Sequence, residues 1–427
     1  MLNLSDCIRE ASFLLKQRHL IWFFIAIFLL SVFSVWSGMA EINAQHQTIE
    51  RLKQKDHIDR EDVRAAQSSY GGAAYYSFHL TYSEPSALAF AAIGQRDVYP
   101  WKHRIRMLAL EGQIYETDAD NPELSFLGRF DFAFLVSVLL PLFVILLLHD
   151  LRSGEREAGR FDLLVVTART QRKLWNVRAL VLSVALAVAC LIPFIIGAVM
   201  MAAAPADIVL IALVVLAHLA FWVVLTTAFT GAMRVSKLSS ASVASLLLAS
   251  WLVLTVVIPV SSDAVINRTV TSPNGGEIVL VQREAVNDAW DVPFDVTWQA
   301  FLATHPEWAD KTAMESLFAW KWYYAFQQVG DQTAYKLSQA YRDAIAEKDA
   351  LASTVSWFSP PMLTQRLLTA LAETDIDAAM EYEQSVRDFH GSLRQFYYPL
   401  LFNEPSFDVK VLQEMPDYSH SSNQDAE

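Results

Sequence analysis

The chain has 427 residues, of which 53% are hydrophobic and 19% charged, with a mean hydropathy of +0.26 and a formal net charge of -13. Ordinary soluble proteins of this length are less apolar, so the composition implies a membrane protein with substantial water-exposed parts. The acidic balance excludes a nucleic-acid partner, whose phosphates demand a basic surface.

In the leader, residues 1–18, Leu4, Cys7, Ile8, Ala11, Leu14 and Leu15 share one helical face, with Asp6, Arg9, Glu10 and Lys16 elsewhere. That pattern fits an amphipathic helix on the inner membrane surface, or simply the start of the first span. Residues 19–40 form predicted transmembrane helix 1; Gly38-Met39-Ala40 imitates a signal-peptide cleavage site, but the long apolar core ending on Trp36 fits an uncleaved anchor better. Residues 41–131 begin as a polar helical run and become rich in aromatic and small residues around Tyr70, Tyr75, Tyr76, Phe78 and Tyr82, as expected of a compact helical insertion. Residues 132–149 form transmembrane helix 2, residues 150–178 a charged connection, and residues 179–261 hold helices 3 to 5, at 179–203, 208–233 and 241–261. Each of the five stretches suits about 30 Å of hydrocarbon at roughly 20 residues per crossing.

Residues 262–417 form the second large insertion. It opens with a turn signal at Pro273-Asn274-Gly275-Gly276 beside the β-branched run Ile278-Val279-Leu280-Val281 and continues with helical patterns at 309–351 and 375–396. Thr374 followed by Asp375 has the cap-plus-acid signature of a helix start. Residues 418–427 are polar, acidic and aperiodic, a predicted disordered tail. The expected fold class is therefore mainly α: a polytopic membrane protein with five transmembrane helices and two large, mostly helical extracytoplasmic insertions.

No Lys, Arg, Asp or Glu lies within the five stretches, as the cost of charge in lipid requires. Arg9, Lys16 and Arg18 precede the first, seven basic residues lie between Arg152 and Arg178, and Arg234 and Lys237 follow the fourth. By the positive-inside rule the N-terminus is cytoplasmic and both insertions and the C-terminus are extracytoplasmic. Cys7 lies in the leader and Cys190 in a span, so neither insertion has a cysteine for a disulfide. Asn267-Arg268-Thr269 fits the glycosylation pattern, a three-residue match that often arises by chance.

The connection after helix 2 is the leading candidate site. Glu155, Arg156 and Glu157 present charges of both signs, Gly159 permits a close backbone approach, and Leu163, Leu164 and Val165 form an apolar anchor. A short helix of this kind docks in a groove of a partner; a solvated loop is the bland alternative. Arg169, Arg172 and Lys173 make a basic patch after it. Within the membrane, His218 is followed at steps of four by Trp222, Thr226 and Thr230, a stripe that lines a translocation path or packs on neighbouring helices. Pro141, Pro193 and Pro259 interrupt spans and are expected to kink them. Trp320, Trp322, Tyr323, Tyr324 and Phe326 crowd one helix, either as core or as a surface for lipid, partner or substrate. No catalytic constellation appears. There is no Gly-x4-Gly-Lys-Ser/Thr phosphate loop, no His-Glu-x-x-His run for a metal and no Gly-x-Ser-x-Gly turn.

Asn121-Pro122, the run Gly128-Arg129-Phe130-Asp131, the apolar span with Pro141, and Glu155-Arg156-Glu157-Ala158-Gly159 together resemble the permease subunits of type 2 ABC exporters, in particular a DUF3526-like subgroup with two large extracytoplasmic insertions. In that family a Gly-Arg-Leu-Asp-like run opens the second span and a Glu-Arg-Glu-x-Gly-Thr-Leu-like run follows it on the ATPase side; here Arg160-Phe161 replaces Thr-Leu. Ser359-Pro360, the leucines of 367–371 and Thr374-Asp375 are also similar to the family. The resemblance implies a permease that binds no cofactor itself, a separate ABC ATP-binding subunit carrying ATP and Mg, a second permease copy or paralogue, and a location in the cytoplasmic (inner) membrane. It also implies a sixth span, where this sequence instead runs through Met415-Pro416 into a polar tail. The alternative is a non-transporting scaffold or sensor whose insertions bind a ligand or envelope protein; a membrane-embedded enzyme is a further rival.

Overall fold

A computed structural model describes residues 4–115, 130–167, 171–232 and 238–419. Among the described residues the protein is mainly helical, with five helices long and apolar enough to cross a membrane. Helix α1 (Leu4–Leu14) is joined by a tight turn to α2 (Arg18–Ala66), 49 residues in one unbroken helix. At 1.5 Å per residue it is about 74 Å long, more than twice a hydrocarbon core, so the predicted span 19–40 is only its first half. The polar second half buries Ile42, Gln45 and Ile49, spaced for one helical face.

Residues 86–94, Ser-Ala-Leu-Ala-Phe-Ala-Ala-Ile-Gly, come after the short helix α3 (Tyr70–Tyr76) of the insertion, yet belong to the core of the apolar helices. Leu88 to Ile93 are almost wholly buried, and Phe90 stacks on Phe194. Gly38 of α2 makes this approach possible, because a Cβ there would lie 1.9 Å from the Phe90 carbonyl oxygen. Since that obstacle is backbone, Gly38→Ala is expected to lower stability by about 1–3 kcal/mol, the usual penalty of overpacking, seen as a lower unfolding temperature in detergent.

Strands β1 (His79–Tyr82) and β2 (Lys102–Ile105) pair antiparallel, His79 opposite Ile105, ahead of α4 (Glu111–Tyr115). The second apolar helix is α5 (Phe132–Phe134), a π-helical turn Leu135–Leu139, and α6 (Leu140–Leu148); short helices α7 (Ser153–Glu157) and α8 (Phe161–Thr167) follow it. Then come α9 (Gln171–Met200), α10 (Pro205–Gly231), and α11 (Ser240–Leu252), which continues through a second π turn, Val253–Val257, into α12 (Ile258–Thr269). Pro141 and Pro259 each sit two residues after a π turn. A proline withholds one N–H and crowds the carbonyl four residues before it, and widening the preceding turn accommodates both.

The remaining helices are α13 (Gly275–Asp288), α14 (Phe294–Leu302), α15 (Trp320–Ser356), α16 (Pro360–Leu371) and α17 (Ile376–Phe402). The β-branched run at Ile278 proves helical. Asn274 caps α13 by accepting from the Glu277 N–H at 2.7 Å, so the Asn-Gly-Gly turn signal is a helix start, and Ile278 and Gln282 bury one face a turn apart. Asp375 rather than Thr374 caps α17, accepting from Ala378 N. The two insertions share a second core, an aromatic cluster in which Trp322, Tyr324, Phe326, Phe301 and Tyr397 are buried. The crowded aromatics of α15 are thus chiefly core. Tyr418, placed in the tail by sequence, hydrogen-bonds Ser385 and packs on Phe389 and Tyr82; residues 420–427 lie outside the described residues.

One element of the second insertion leaves that body. Helix α16 packs against the midpoint of α10, and Leu368 and Ala372 join the core of the apolar helices. Residues 350–365 carry no charge, are too short to cross a membrane, and are turned back by Pro360-Pro361. Ser359 caps α16 and donates to the Leu254 carbonyl at 2.6 Å. The one charge on α16, Arg366, is held bidentately by Asp349 of α15 at 2.6 and 2.8 Å.

Candidate functional site

The segment after the second apolar helix holds six of the predicted site residues. Glu155 on α7 accepts from Arg160 Nε at 2.8 Å and from Arg178 Nη1 of α9 at 2.9 Å, while Arg178 Nε reaches Glu10 of α1 at 3.2 Å. The Arg178 guanidinium also lies 5.6 Å from the ring centres of Phe13 and Trp175. Glu157 accepts from the Ser240 N–H at 2.7 Å, at the positive end of α11, beside a Ser240–Ser153 hydroxyl contact of 2.9 Å. These carboxylates therefore bind α7 to three other helices. Arg156 is half-buried beside them. Gly159 takes a φ of +69°, the left-handed conformation that ends α7 and redirects the chain into α8.

Helix α8 has two unlike faces. Phe161 stacks on Trp175 and Leu164 packs on the apolar core, whereas Leu163 is 66% and Val166 83% exposed. Leu163 and Val166 thus give α8 an apolar outward face beside a charged, well-tethered turn. Arg169 lies outside the described residues, as do the side chains of Arg172 and Lys173.

His218, Trp222, Thr226 and Thr230 are all buried and face the interior of the chain's own helical bundle. His218 Nδ1 meets Thr364 Oγ1 of α16 at 2.8 Å, and Thr230 donates to Thr227 O. His218 Nε2, Trp222 Nε1 and Thr226 Oγ1 have no protein partner among the described residues. The next residue of α16, Gln365, accepts from Ser137 in the first π turn at 3.1 Å. Beyond it opens a cavity of about 430 Å³ lined by Asp97, Asp131, Ser137, Thr255 of the second π turn, Gln365 and Arg366 among apolar groups. The α10 stripe and this cavity thus adjoin through α16. π turns are frequent where a helix is reshaped for function, and here both border one cavity.

Residues 276–421 match a family model described as a domain of unknown function (DUF3526). The match covers α13 to α17, and so includes α16 as well as most of the polar body. No curated protein and no solved structure matches the chain.

Of the motif predicted at the start of the second span, Gly128 and Arg129 lie outside the described residues, as do Asn121 and Pro122. Asp131 is 5% exposed; its Oδ1 accepts from Phe134 N at 2.8 Å, capping α5, and its Oδ2 from Ile93 N at 2.9 Å, fastening the buried 86–94 segment. Pro141 opens α6 after the first π turn. Burial pushes the Asp131 carboxyl up to about 6, against hydrogen bonds that pull the other way. Its ordinary value is 3.8, so its contribution to stability is fully present below that pH and is lost as pH rises through about 6. Asp131→Ala is expected to cost about 2–4 kcal/mol by exposing two N–H groups, and to remove this component from the pH dependence of thermal unfolding measured from pH 4 to 7.

Sequence reasoning missed Thr364 and Gln365, which connect α16 to the apolar helices, and marked Ser359 only as similar to the family, without its bond to Leu254. The uncharged run 350–365 with its double proline was the available signal. It also missed the burial of residues 86–94, whose absence of charge was the corresponding sign.

Proposed function

We propose that this chain is the membrane-spanning permease subunit of an ABC-type exporter in the cytoplasmic membrane, moving a substrate outward with ATP hydrolysed by a separate subunit. The observation that carries the reading is the α7–α8 segment: an apolar outward face on a turn whose carboxylates grip α1, α9 and α11. A push on α8 from a closing ATPase is relayed to several spans as one rigid movement. The distribution of Lys and Arg supports a cytoplasmic N-terminus and α7–α8, with the insertions and the C-terminus on the opposite side. In that orientation α16 re-enters the bundle from outside, which suits irregular backbone at membrane depth only where protein surrounds it. The partner supplies ATP and Mg, because this sequence has no phosphate loop; a second permease copy or paralogue and membrane lipid complete the assembly.

The α10 stripe and the adjoining cavity support a path leading outward from mid-membrane. The rival reading, a scaffold or sensor, gives α8 no ATPase to meet. Purification from native membranes tests the two. The permease reading expects a nucleotide-binding subunit to co-purify and vanadate-sensitive ATP hydrolysis on reconstitution; persistent absence of both favours the scaffold.

A further inference from the structure

Helices α2 and α9 pack tightly along one part of their contact and separate along the other. Away from α1, Ser31 Oγ donates to the Cys190 carbonyl at 3.0 Å, and a Cβ on Gly197 would lie 2.5 Å from Val35 Cγ1. Toward the α1–α2 turn the two helices part, and α1, tied to α9 by Glu10 and Arg178, lines one side of the gap. The result is a groove of about 450 Å³ in which every lining side chain is Ala, Val, Leu, Ile or Phe.

The depth of the groove is close to that of one leaflet. Val181 to Ala189 of α9 border it, which at 1.5 Å per residue is about 12 Å, against about 15 Å for half of a hydrocarbon core. Ile21, Ile25 and Phe28 of α2 are exposed along its open side. With no polar side chain in the wall, a group lying there forfeits its hydrogen bonds to water, so the groove suits hydrocarbon.

Apolar surface toward lipid is ordinary in a membrane protein, and the groove alone selects no occupant. Its mouth does. Lys16 to His19 are the residues between the lining residues Leu15 and Leu20, and Lys16, Arg18 and His19 are exposed. Nearby, Arg9 is paired with Asp6, and Arg178 with Glu10 and Glu155, whereas Lys16 and Arg18 have no ion pair among the described residues. The first turn of α2 contains no acid, and Gln17 leaves the first N–H groups of that helix without a side-chain cap, so the helix end adds to the positive potential.

We infer that the groove holds an anionic phospholipid of the cytoplasmic leaflet, with one acyl chain between α2 and α9 and the phosphate at Lys16 and Arg18. Basic residues beside a cleft between spans recognise anionic headgroups by charge, and the acyl chain supplies the apolar contact. A helix from a second copy would need an open face along the whole span of about 30 Å, but this groove closes at Ser31 and Cys190. The inference rests on the cytoplasmic side that the Lys and Arg distribution gives the N-terminus, and not on the ATPase.

The test places a photoreactive amino acid at position 25 of the full chain and, as a control, at Val224, which is 65% exposed on α10; each lies seven residues from the cytoplasmic end of its helix. Both proteins are reconstituted in phosphatidylcholine vesicles with a minor share of phosphatidylglycerol and illuminated, and the adducts are identified by mass spectrometry. Phosphatidylglycerol is expected to be enriched roughly tenfold in adducts at position 25 relative to position 224, as two basic groups at an anionic headgroup warrant. Lys16→Ser with Arg18→Ser, both at exposed positions, is expected to leave the unfolding temperature unchanged and to abolish the enrichment. Ala185→Phe, which fills the groove, is expected to reduce it likewise. The inference is overturned if adducts at position 25 mirror the vesicle composition, if the crosslinked product is a second copy of the chain, or if either variant keeps the full enrichment.

Discussion

Arg178→Ala is expected to lower the stability of the purified protein by about 3–5 kcal/mol, the range found when one partner of a buried ion pair is removed. The Arg178 side chain is 9% exposed, and its carboxylate partners Glu10 and Glu155 are 8% and 12% exposed. Removing the guanidinium leaves buried Glu10 without its cation and Glu155 with Arg160 alone, and withdraws the cation from Phe13 and Trp175. Arg178→Lys retains the charge but cannot reach two carboxylates with separate nitrogens, so an intermediate loss is expected. Replacing Arg178 and Glu10 together by apolar residues of similar volume should recover most of the loss, because the penalty arises from the unpaired buried acid rather than from the absence of an ion pair. Thermal unfolding in detergent measures the series. A change within 1 kcal/mol for Arg178→Ala would show that the triad does not hold α1, α7 and α9 together.

The double substitution Leu163→Glu with Val166→Glu should leave folding nearly unchanged, since both side chains are exposed. On the permease reading its expected effect is on association with an ATP-binding subunit. Burying a Leu or Val side chain contributes about 1.5–3 kcal/mol each, so loss of the pair amounts to at least about 3 kcal/mol, or roughly a hundredfold in affinity. The carboxylates add a desolvation cost of their own. Co-purification from membranes at equal expression reads the result directly. Undiminished recovery of the ATPase would remove α8 from the interface.

Contrast that with Glu157, whose charge looked on sequence like a docking group. Its carboxylate caps α11 through Ser240, so Glu157→Lys is disruptive within the chain before any partner is considered. Charge patterning showed that this segment matters and that it holds acids and bases together, but it carries no information on whether a carboxylate turns outward or toward the N-terminus of a helix more than 80 residues further along the chain. Leu163 and Leu164 illustrate the same limit. They are adjacent and chemically identical, yet only Leu164 packs inward, because one residue of helix turns a side chain about 100°.

The five apolar helices were legible because cost per buried charge is large and acts over a whole span. Their number holds, while the length of α2 was hidden: nothing in the sequence marks where a helix leaves lipid if its polar continuation is also helical. The run at Ile278 misled because β-branched residues tolerate a buried helix once a cap and a partner helix are present, and propensity yields to packing. Helix α16 was the least legible element. It is short, half-polar and flanked by strongly charged helices, so local composition assigns it to the insertion; only its partners His218, Ser137 and Leu254, distant in sequence, reveal where it lies. Asp131 was noticed only as a motif residue at the start of the second span; its geometry shows a helix cap, together with a second bond to Ile93 that no local pattern predicts.

The most direct measurement places a photoreactive amino acid at position 163 and, as a control, at Leu317, which is 88% exposed in the polar body. Illumination of native membranes is predicted to crosslink position 163 to a nucleotide-binding protein, with a yield that changes when ATP is added, and to leave position 317 without that product. If position 163 captures no nucleotide-binding protein, or position 317 captures it equally, this chain does not couple to an ATPase through α8 and the permease account is contradicted.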